Sequence, residues 1–234
     1  MPTAVITGAT KGIGKAIAEK LLQQGFDVAI CARSTNQLRD LHDEWERTYP
    51  TCKVFMQNVD VSKKEAVKEF AKNILDNFRQ IDILVNNAGI YAPGNLATEA
   101  DDQLENLMNT NLFSAYHLTR ALLPRMKQHQ SGHIFNLCSV ASLQAYPNGG
   151  AYSVSKYALL GFTENLRYEL RNDGIKVTAI SPGATWSNSW SGSGVPPERI
   201  MKAEDIAEIL WSTYNLSKQA VVEHIVLRPQ LGDL

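Results

Sequence analysis

The stretch that decides the fold is Thr3-Ala4-Val5-Ile6-Thr7-Gly8-Ala9-Thr10-Lys11-Gly12-Ile13-Gly14. Its first five residues form a β-branched run that predicts a short strand, and a helix-periodic run follows as far as Gln24. Between them, bare glycine backbone lets N–H groups and the positive end of a helix approach a phosphate. The spacing G-x-x-x-G-x-G differs from the familiar G-x-G-x-x-G, but a first strand–turn–helix is the expected context. The stretch predicts a dinucleotide site, and the alternative is a glycine turn without a ligand.

The residues after the second predicted strand, Asp27–Ala32, indicate which dinucleotide binds. In NAD-binding folds a carboxylate about 20 positions beyond the glycine turn accepts the ribose 2′-hydroxyl. Here Arg33, followed by Ser34, stands 19 positions after Gly14, and Lys11 supplies a second cation. Two cations at the place of a 2′-phosphate favour NADP(H) as the cofactor.

The rest of the chain alternates between two kinds of hydrophobic pattern. Strand patterns recur at residues 53–57, 81–85, 133–138, 174–180 and 221–227, with helical patterns between them. This alternation predicts an α/β fold with a doubly wound parallel sheet and helices on both faces. No linker or repeat interrupts it, so residues 1–234 are predicted to form a single domain.

A hydroxyl, a phenol and an ammonium form the candidate catalytic set. Tyr152 and Lys156 lie four residues apart, so a helix projects them from one face. An ammonium one turn away favours the phenolate and is expected to lower the pKa of the phenol. Ser139 follows the apolar run 134–138 and could bond the same substrate oxygen as Tyr152. The alternative is a half-buried packing tyrosine next to a solvated lysine.

Two segments after predicted strands have more than one interpretation. Asp60 either accepts a hydrogen bond from an adenine amine or helps to start the next helix, with Ser62 as N-cap and Glu65 completing a capping box. The run Asn86-Asn87-Ala88-Gly89 either lets backbone lie against a nucleotide or is an ordinary turn.

Asn111 falls near the middle of a helix predicted over residues 101–126. Asparagine is unfavourable inside a helix, so a buried one at this position is either a structural amide or marks a functional kink. Further along, residues 184–202 follow a strand, have neither helical nor strand periodicity, and are predicted to form a lid.

Composition excludes several classes of function. A net charge of −1 without a basic block gives no indication of a nucleic-acid partner. No apolar run approaches the roughly 20 residues that span a bilayer, and the chain enters a strand at once, so neither a membrane span nor a signal peptide is expected. Cys31, Cys52 and Cys138 are expected to be reduced thiols in a cytoplasmic protein. His129 and His133 are interpreted as flanking a polar turn, and no metal site is predicted.

Nearly the whole chain resembles the short-chain dehydrogenase/reductase family. The resemblance implies a Rossmann-like, seven-stranded sheet in the order 3-2-1-4-5-6-7. It also implies a homodimer or homotetramer built on the helices that bear Asn111 and Tyr152. The matching motifs occur in order: Thr7-Gly8-x-x-x-Gly12-x-Gly14, Asp60, Asn86-Asn87-Ala88-Gly89, Asn111, Ser139, Tyr152-x-x-x-Lys156 and Pro182-Gly183.

The same resemblance implies a role for each site residue. Tyr152 is the acid in carbonyl reduction and the base in the reverse reaction, while Ser139 orients and polarises the carbonyl. Lys156 holds the nicotinamide ribose and lowers the pKa of Tyr152, and Asn111 bends its helix and anchors a proton-relay water. The implied cofactor contacts are Gly8, Thr10, Lys11, Gly12, Ile13, Gly14, Arg33, Ser34, Asp60, Val61, Asn87, Ala88, Gly89, Tyr152, Lys156, Pro182, Gly183, Thr185 and Ser187.

Three departures from the family pattern bear on the substrate. Thr185 stands where the family often has Val or Ile, and Ser187 stands where it has Thr. Trp186 and Trp190 suit a flat polar substrate, or else pack on the cofactor or on another subunit. The tail Arg228–Asp233 is similar to that of bacterial sepiapterin-reductase-like carbonyl reductases and lacks the Asp-Gly-Gly ending of many 3-oxoacyl-carrier-protein reductases.

The expected function is NADPH-dependent reduction of a ketone or aldehyde, with a sepiapterin-like or other small polar carbonyl as substrate. One alternative is a 3-oxoacyl-carrier-protein reductase, although Glu198 and Glu204 offset the basic Arg199 and Lys202 that a carrier protein would need. The other alternative is a non-catalytic NADP(H)-binding regulator.

Overall fold

The computed structural model describes residues 1–187 and 194–233, and these form a sheet of seven strands whose pairings are all parallel. The order across the sheet is β3-β2-β1-β4-β5-β6-β7, which confirms the predicted fold class. The strands are β1 (Thr3–Thr7), β2 (Asp27–Ala32), β3 (Val54–Asn58), β4 (Ile83–Asn86), β5 (Gly132–Leu137), β6 (Ile175–Pro182) and β7 (His224–Leu227).

Helices connect successive strands and cover both faces of the sheet. A π-helical turn at Asn109–Phe113 joins two of them, and single 3-10 turns lie at Val140–Ser142 and Pro197–Arg199. The α-helices are α1 (Gly12–Gln23), α2 (Thr35–Thr48), α3 (Lys64–Asn77), α4 (Gln103–Met108), α5 (Ser114–His129), α6 (Gly150–Leu170) and α7 (Ala203–Tyr214).

The core lies in two layers, one on each face of the sheet. Successive strand side chains point to opposite faces, so Ala4 and Ile6 of β1 pack with α1, α2 and α7, whereas Val5 packs with α3, α5 and α6. Because both faces are covered, the central strands are continuous apolar runs and every residue of β1 is buried.

The direction in which successive strands are added to the sheet reverses at β1, which lies between β2 and β4. The glycine turn after β1 and the segment after β4 therefore leave the same edge of the sheet as neighbours, and the segment after β5 lies next to them. In open α/β sheets this carboxyl edge, at the reversal point, is where ligands bind.

The helix predicted over residues 101–126 is interrupted. It consists of α4, the π-helical turn and α5, and Asn111 lies within the turn with 1% of its surface exposed. A π-helical turn widens the helix by one residue and is frequently found at functional sites. The buried asparagine thus coincides with a change in helix geometry.

The predicted capping box at the start of α3 is wrong. This helix begins at Lys64, and its N-cap Lys63 makes no side-chain cap. Ser62 instead donates from both its N–H (3.0 Å) and its hydroxyl (2.8 Å) to Asp60 Oδ1. This local Asx turn uses the hydroxyl that the capping box required.

Two features that the sequence does not predict are a metal site and a membrane span. In residues 1–187 and 194–233, no group of three His, Cys, Asp or Glu side chains could hold a metal ion. None of the helices placed there is both long and apolar enough to cross a membrane. His133 is a core residue: its Nε2 bonds Thr178 Oγ1 at 2.7 Å, and burial lowers the pKa of its ring to about 3.

Candidate active site

The glycine turn after β1 depends on backbone that other residues rarely adopt. Gly8 and Gly12 have φ angles of +67° and +55°. Gly14 is enclosed, because a Cβ there would overlap the carbonyl oxygen of Gly8 and lie 2.5 Å from Asn87 Nδ2. Lys11, the N-cap of α1, does not cap the helix with its side chain. The first N–H groups of α1 therefore have no side-chain cap, as an anion site at a helix N-terminus requires.

Both predicted cations lie beside this turn. Lys11 and Arg33 are exposed, and neither forms an ion pair with another residue of the described ranges. Ser34 caps α2 by accepting a hydrogen bond from Gln37 N, and Thr10 Oγ1 donates to Gln37 Oε1 at 3.1 Å. The first two βα turns are thus tied together, with two positive charges at their rim.

Asp60, followed by Val61, lies at the end of β3. Burial acts to raise the pKa of this carboxyl, but the hydrogen bonds from Ser62 and the attraction of Lys63 and Arg33 outweigh it, so the pKa lies below its usual value. The group is an ionised hydrogen-bond acceptor at neutral pH.

The Asn86–Gly89 segment is fastened to the glycine turn. Thr7 Oγ1 accepts from the N–H groups of Asn87 (3.1 Å) and Ala88 (2.9 Å), and Asn87 Nδ2 donates to the carbonyls of Thr7 and Gly8. This places Ala88 against the glycine turn, where a Cβ on Gly8 would lie 3.1 Å from its Cα. The side chain of Asn87 is occupied in holding the segment there.

Asn111 bridges this segment to the helix that carries Tyr152. Its Oδ1 accepts from Ile90 N at 2.8 Å, and its Nδ2 donates to Ile90 O at 3.0 Å and to Ser155 Oγ at 2.9 Å. Both N–H donors are used, so one lone pair of Oδ1 is what remains for a further partner. A Cβ on Gly89 would lie 3.2 Å from that oxygen.

The structure brings Ser139, Tyr152 and Lys156 together. Ser139 follows β5, its hydroxyl accepts from Ala141 N at 3.1 Å, and it lies close enough to the phenol of Tyr152 to influence its pKa. Lys156 Nζ lies 6.0 Å from the centre of the Tyr152 ring and donates to Leu137 O at 2.8 Å. This arrangement holds a proton donor, a second hydroxyl and a buried ammonium within one small region.

The expectation that Lys156 lowers the pKa of Tyr152 is not met in this structure. Burial raises the pKa of Tyr152, and the neighbouring Ser139 hydroxyl acts in the opposite direction. The ammonium is directed to the carbonyl of Leu137, and burial lowers its own pKa to about 8. The four-residue spacing does put Tyr152 and Lys156 on one face of the helix. The spacing does not determine where the flexible end of Lys156 binds, and here it donates to the carbonyl of Leu137.

We expect the buried ammonium of Lys156 to make stability depend on pH. Its folded pKa of about 8 lies below the ordinary value of 10.5, so between these values the unfolded chain binds the proton that the folded chain releases. Stability should therefore rise as pH increases through this window. Urea unfolding at about pH 8 and about pH 9.5 should show a rising midpoint in the wild type and a flatter response in Lys156→Met. Lys72→Met, which removes an exposed ammonium from α3, should retain the rise, and a flat wild-type profile would contradict the prediction.

The turn after β6 is held by hydrogen bonds at both of its ends. Gly183 N donates to Leu227 O at 2.7 Å, Thr185 Oγ1 donates to Gly183 O at 3.0 Å, and Trp186 N donates to Met201 O at 2.7 Å. Ser187 lies against the glycine turn, since a Cβ on Gly12 would be 3.3 Å from the Cβ of Ser187. Trp186 is 39% exposed, and Trp190 lies outside the described residues.

The carboxyl-terminal tail packs on the end of the predicted lid. Arg199 donates to the carbonyl oxygens of Leu231, Gly232 and Asp233. Arg228 forms an ion pair with the side chain of Asp233, which also lies against Gly183. The tail therefore buttresses the turn that begins at Pro182.

A cleft of about 860 Å³ lies between the start of α1 and residues 197–205, with Trp186 and Ser187 on its rim. It borders the glycine turn, and none of Ser139, Tyr152 and Lys156 lines it. The cleft thus adjoins the nucleotide side of the site and not the catalytic set.

The sequence interpretation missed three residues at the site. Tyr91 packs edge-on against Tyr152, with ring centroids 4.9 Å apart and planes at 88°, and Tyr146 lies near enough for the two phenols to interact. Glu99 Oε2 accepts from Ala151 N at 3.2 Å, at the start of α6. The only sequence signal was the position of Tyr91, two residues beyond Gly89.

Comparison with known proteins agrees with this geometry. A family model described as short chain dehydrogenase matches residues 2–193. The chain is 32% identical over 238 residues to sepiapterin reductase from Chlorobaculum tepidum, covering 98% of this chain and 97% of that protein. It is 33% identical over 208 residues to diacetyl reductase [(S)-acetoin forming] from Staphylococcus epidermidis, covering 88% and 79%.

Solved structures are similar over the same extent. The alcohol dehydrogenase from the archaeon Thermococcus sibiricus, complexed with 5-hydroxy-NADP, superposes with a TM-score of 0.90 at 32% identity, covering 98% of this chain and 97% of that one. The profile match, the full-length relatives and the shared fold together show that the chain belongs to the short-chain dehydrogenase family.

Proposed function

We propose that the protein is an NADPH-dependent reductase that converts a ketone or aldehyde carbonyl to an alcohol. The observation that carries the proposal is the grouping of Ser139, Tyr152 and Lys156 at the carboxyl edge of the sheet, next to the glycine turn. Such a grouping suits a carbonyl oxygen that gains negative charge as its carbon accepts a hydride.

NADP(H) fits the residues of the nucleotide side. The first turn of α1 and the bare glycines would hold the pyrophosphate, while Lys11, Arg33 and Ser34 would meet a 2′-phosphate. The relative from Thermococcus sibiricus, solved with 5-hydroxy-NADP, supports this choice. When bound, the nicotinamide supplies the hydride.

The residues of this chain supply the proton that the reduced carbonyl oxygen accepts. Because burial raises the pKa of Tyr152, the phenol keeps its proton at neutral pH and can donate it to the developing alkoxide. Ser139 holds the same oxygen through its hydroxyl. Lys156 would hold the ribose hydroxyls, and the remaining lone pair of Asn111 Oδ1 would accept from a relay water.

The rest of the expected cofactor contacts belong to the same proposal. They are Thr10 and Ile13 in the glycine turn, Asp60 and Val61 near the adenine, Asn87, Ala88 and Gly89 along the ribose, and Pro182, Gly183, Thr185 and Ser187 at the carboxamide. We also propose that residues 1–234 act as one domain whose lid spans residues 184–202.

We also propose a cytoplasmic location and assembly into a homo-oligomer. The free thiols of Cys31, Cys52 and Cys138 suit the cytoplasm. A homodimer or homotetramer would use the helices that bear Asn111 and Tyr152, where Phe113 and Tyr157 are 42% and 45% exposed.

Arg33→Asp should reverse the preference between the two nicotinamide cofactors. The change removes a cation from the place of the 2′-phosphate and supplies a carboxylate that repels it and accepts a 2′-hydroxyl. We expect the NADPH-to-NADH ratio of kcat/KM to fall by about 10- to 100-fold, the effect of losing a hydrogen bond to a charged group.

Arg79→Asp makes the same charge change between α3 and β4, at the opposite edge of the sheet, and should leave the ratio unchanged. An unaltered ratio in Arg33→Asp would contradict the assignment of the 2′-phosphate site.

The test of the proposed function is NADPH oxidation, followed by its absorbance, against ketones, aldehydes and a 3-oxoacyl thioester. Turnover of free ketones is the expected result. Preference for the carrier-bound thioester would favour a 3-oxoacyl-carrier-protein reductase, which the structure does not favour because Arg199 is engaged by the tail. Tight NADPH binding without any turnover would indicate a regulator.

A further inference from the structure

The wall of the site beside Tyr152 is uncharged. Residues 87–98 and 139–150, the segments that follow β4 and β5, contain no Asp, Glu, Lys, Arg or His. Glu99, the first charged residue after the former, uses Oε2 to accept from Ala151 N. A charged substrate group would find no partner along these two segments, and burying it there would be costly.

This wall carries two tyrosines, Tyr91 and Tyr146. Burial and the neighbouring phenols of Tyr91 and Tyr152 raise the pKa of Tyr146, so its hydroxyl keeps its proton and can donate it to the Tyr91 oxygen. Each phenol has one hydrogen, so a Tyr91 hydroxyl that accepts from Tyr146 keeps its own proton for another acceptor. Tyr91 is 54% exposed and touches the Tyr152 ring, so a molecule bound at Tyr152 can reach it.

The segments that carry the pair are bonded to each other. Gly94 N donates to Asn148 O at 3.0 Å, and Glu99 accepts from the start of α6, so the two segments are connected shortly after Tyr91 and Tyr146. Gly149 packs closely on the Tyr146 ring, because a Cβ there would lie 3.0 Å from Cε1. A donor fixed before substrate arrives costs little ordering on binding.

We propose that Tyr91, supported by Tyr146, donates a hydrogen bond to a neutral oxygen on the carbon next to the carbonyl that is reduced. The substrates are then uncharged α-hydroxy ketones and vicinal diketones, an assignment that rests on the proposed function. The carbonyl carbon accepts the hydride, its oxygen accepts the proton of Tyr152, and the neighbouring oxygen is unchanged. Tyr152 regains its proton from solvent.

Four carbonyl compounds, each assayed with NADPH, test the proposal. They are acetoin, 4-hydroxy-2-butanone, butanone and pyruvate. In 4-hydroxy-2-butanone the hydroxyl is one carbon further from the carbonyl than in acetoin, and pyruvate is an anionic analogue. The wild type should favour acetoin over 4-hydroxy-2-butanone and butanone, and reduce pyruvate least. Tyr91→Phe should lower kcat/KM for acetoin by roughly 3- to 10-fold, mainly by raising KM. The kcat/KM for butanone should change by less than about twofold.

Tyr146→Phe should produce a smaller loss in the same direction, since it removes only the support of Tyr91. Tyr168→Phe is the matched control, because it deletes the hydroxyl of a 67% exposed tyrosine at the far end of α6. It should leave kcat/KM unchanged for both acetoin and butanone. Circular dichroism of each variant establishes that it folds.

The outcomes separate this inference from the proposed function. An equal loss for acetoin and butanone in Tyr91→Phe would make Tyr91 a packing residue and overturn the inference. A wild type that reduces all four carbonyls without preference would also overturn it, while the proposed function stands. Failure to oxidise NADPH with any carbonyl would remove both.

Discussion

Replacing Tyr152 by Phe is expected to lower kcat for carbonyl reduction by about 10²- to 10⁴-fold, the usual contribution of a positioned general acid. The variant loses the proton donor, the hydroxyl that lies next to Ser139. It keeps the ring, which packs edge-on against Tyr91, so the shape of the site should be unchanged. The expected signature is a fall in kcat with little change in cofactor affinity.

Steady-state NADPH oxidation measures kcat, and tryptophan fluorescence quenching measures NADPH binding. Tyr168→Phe is the matched control, because it deletes a hydroxyl from the same helix at a position that is 67% exposed. It should retain wild-type kcat. Full turnover by Tyr152→Phe would remove this residue from the mechanism, and a parallel loss of NADPH binding would show that its role is structural.

The fold could be predicted because its signals are local. A β-branched run followed by three glycines identifies β1 and the start of α1, and strict alternation of patterns requires a parallel sheet. The strand order itself came from the family resemblance, since no local pattern specifies which strands are neighbours. Element ends were less accurate: β6 was predicted to end at Ile180 and continues to Pro182.

The candidate site was predictable only where its residues lie close in sequence or match a motif. Tyr152 and Lys156 share a helix face, so their proximity follows from spacing. The hydrogen bond of Lys156 to Leu137, and with it the direction of the pKa shifts, depends on a contact between α6 and β5. Tyr91 and Tyr146 meet only because the segments after β4 and β5 leave the sheet side by side.

Gly14→Ala is expected to destabilise the protein and weaken NADPH binding together. The added Cβ would overlap the Gly8 carbonyl oxygen, lie 2.5 Å from Asn87 Nδ2 and lie 3.0 Å from Ala9 Cα. Two of these atoms belong to backbone and cannot rotate away, so α1 must move from β1. Overpacking of this kind costs about 1–3 kcal/mol. Displacing Asn87 also threatens its bonds to Thr7 and Gly8, each worth about 0.5–1.5 kcal/mol.

Gly161→Ala separates this close approach from the general effect of replacing glycine in a helix. Gly161 lies inside α6, and a Cβ there would meet nothing within 4 Å. Alanine should stabilise that helix by up to about 1 kcal/mol, so the two Gly→Ala changes should shift the urea midpoint in opposite directions.

If Gly14→Ala unfolds at the wild-type midpoint, the tight packing of α1 on β1 is disproved. If it is destabilised but binds NADPH normally, the first turn of α1 does not contact the pyrophosphate. Because α1 provides both the packing and the phosphate site, one displaced helix should lose stability and affinity at once.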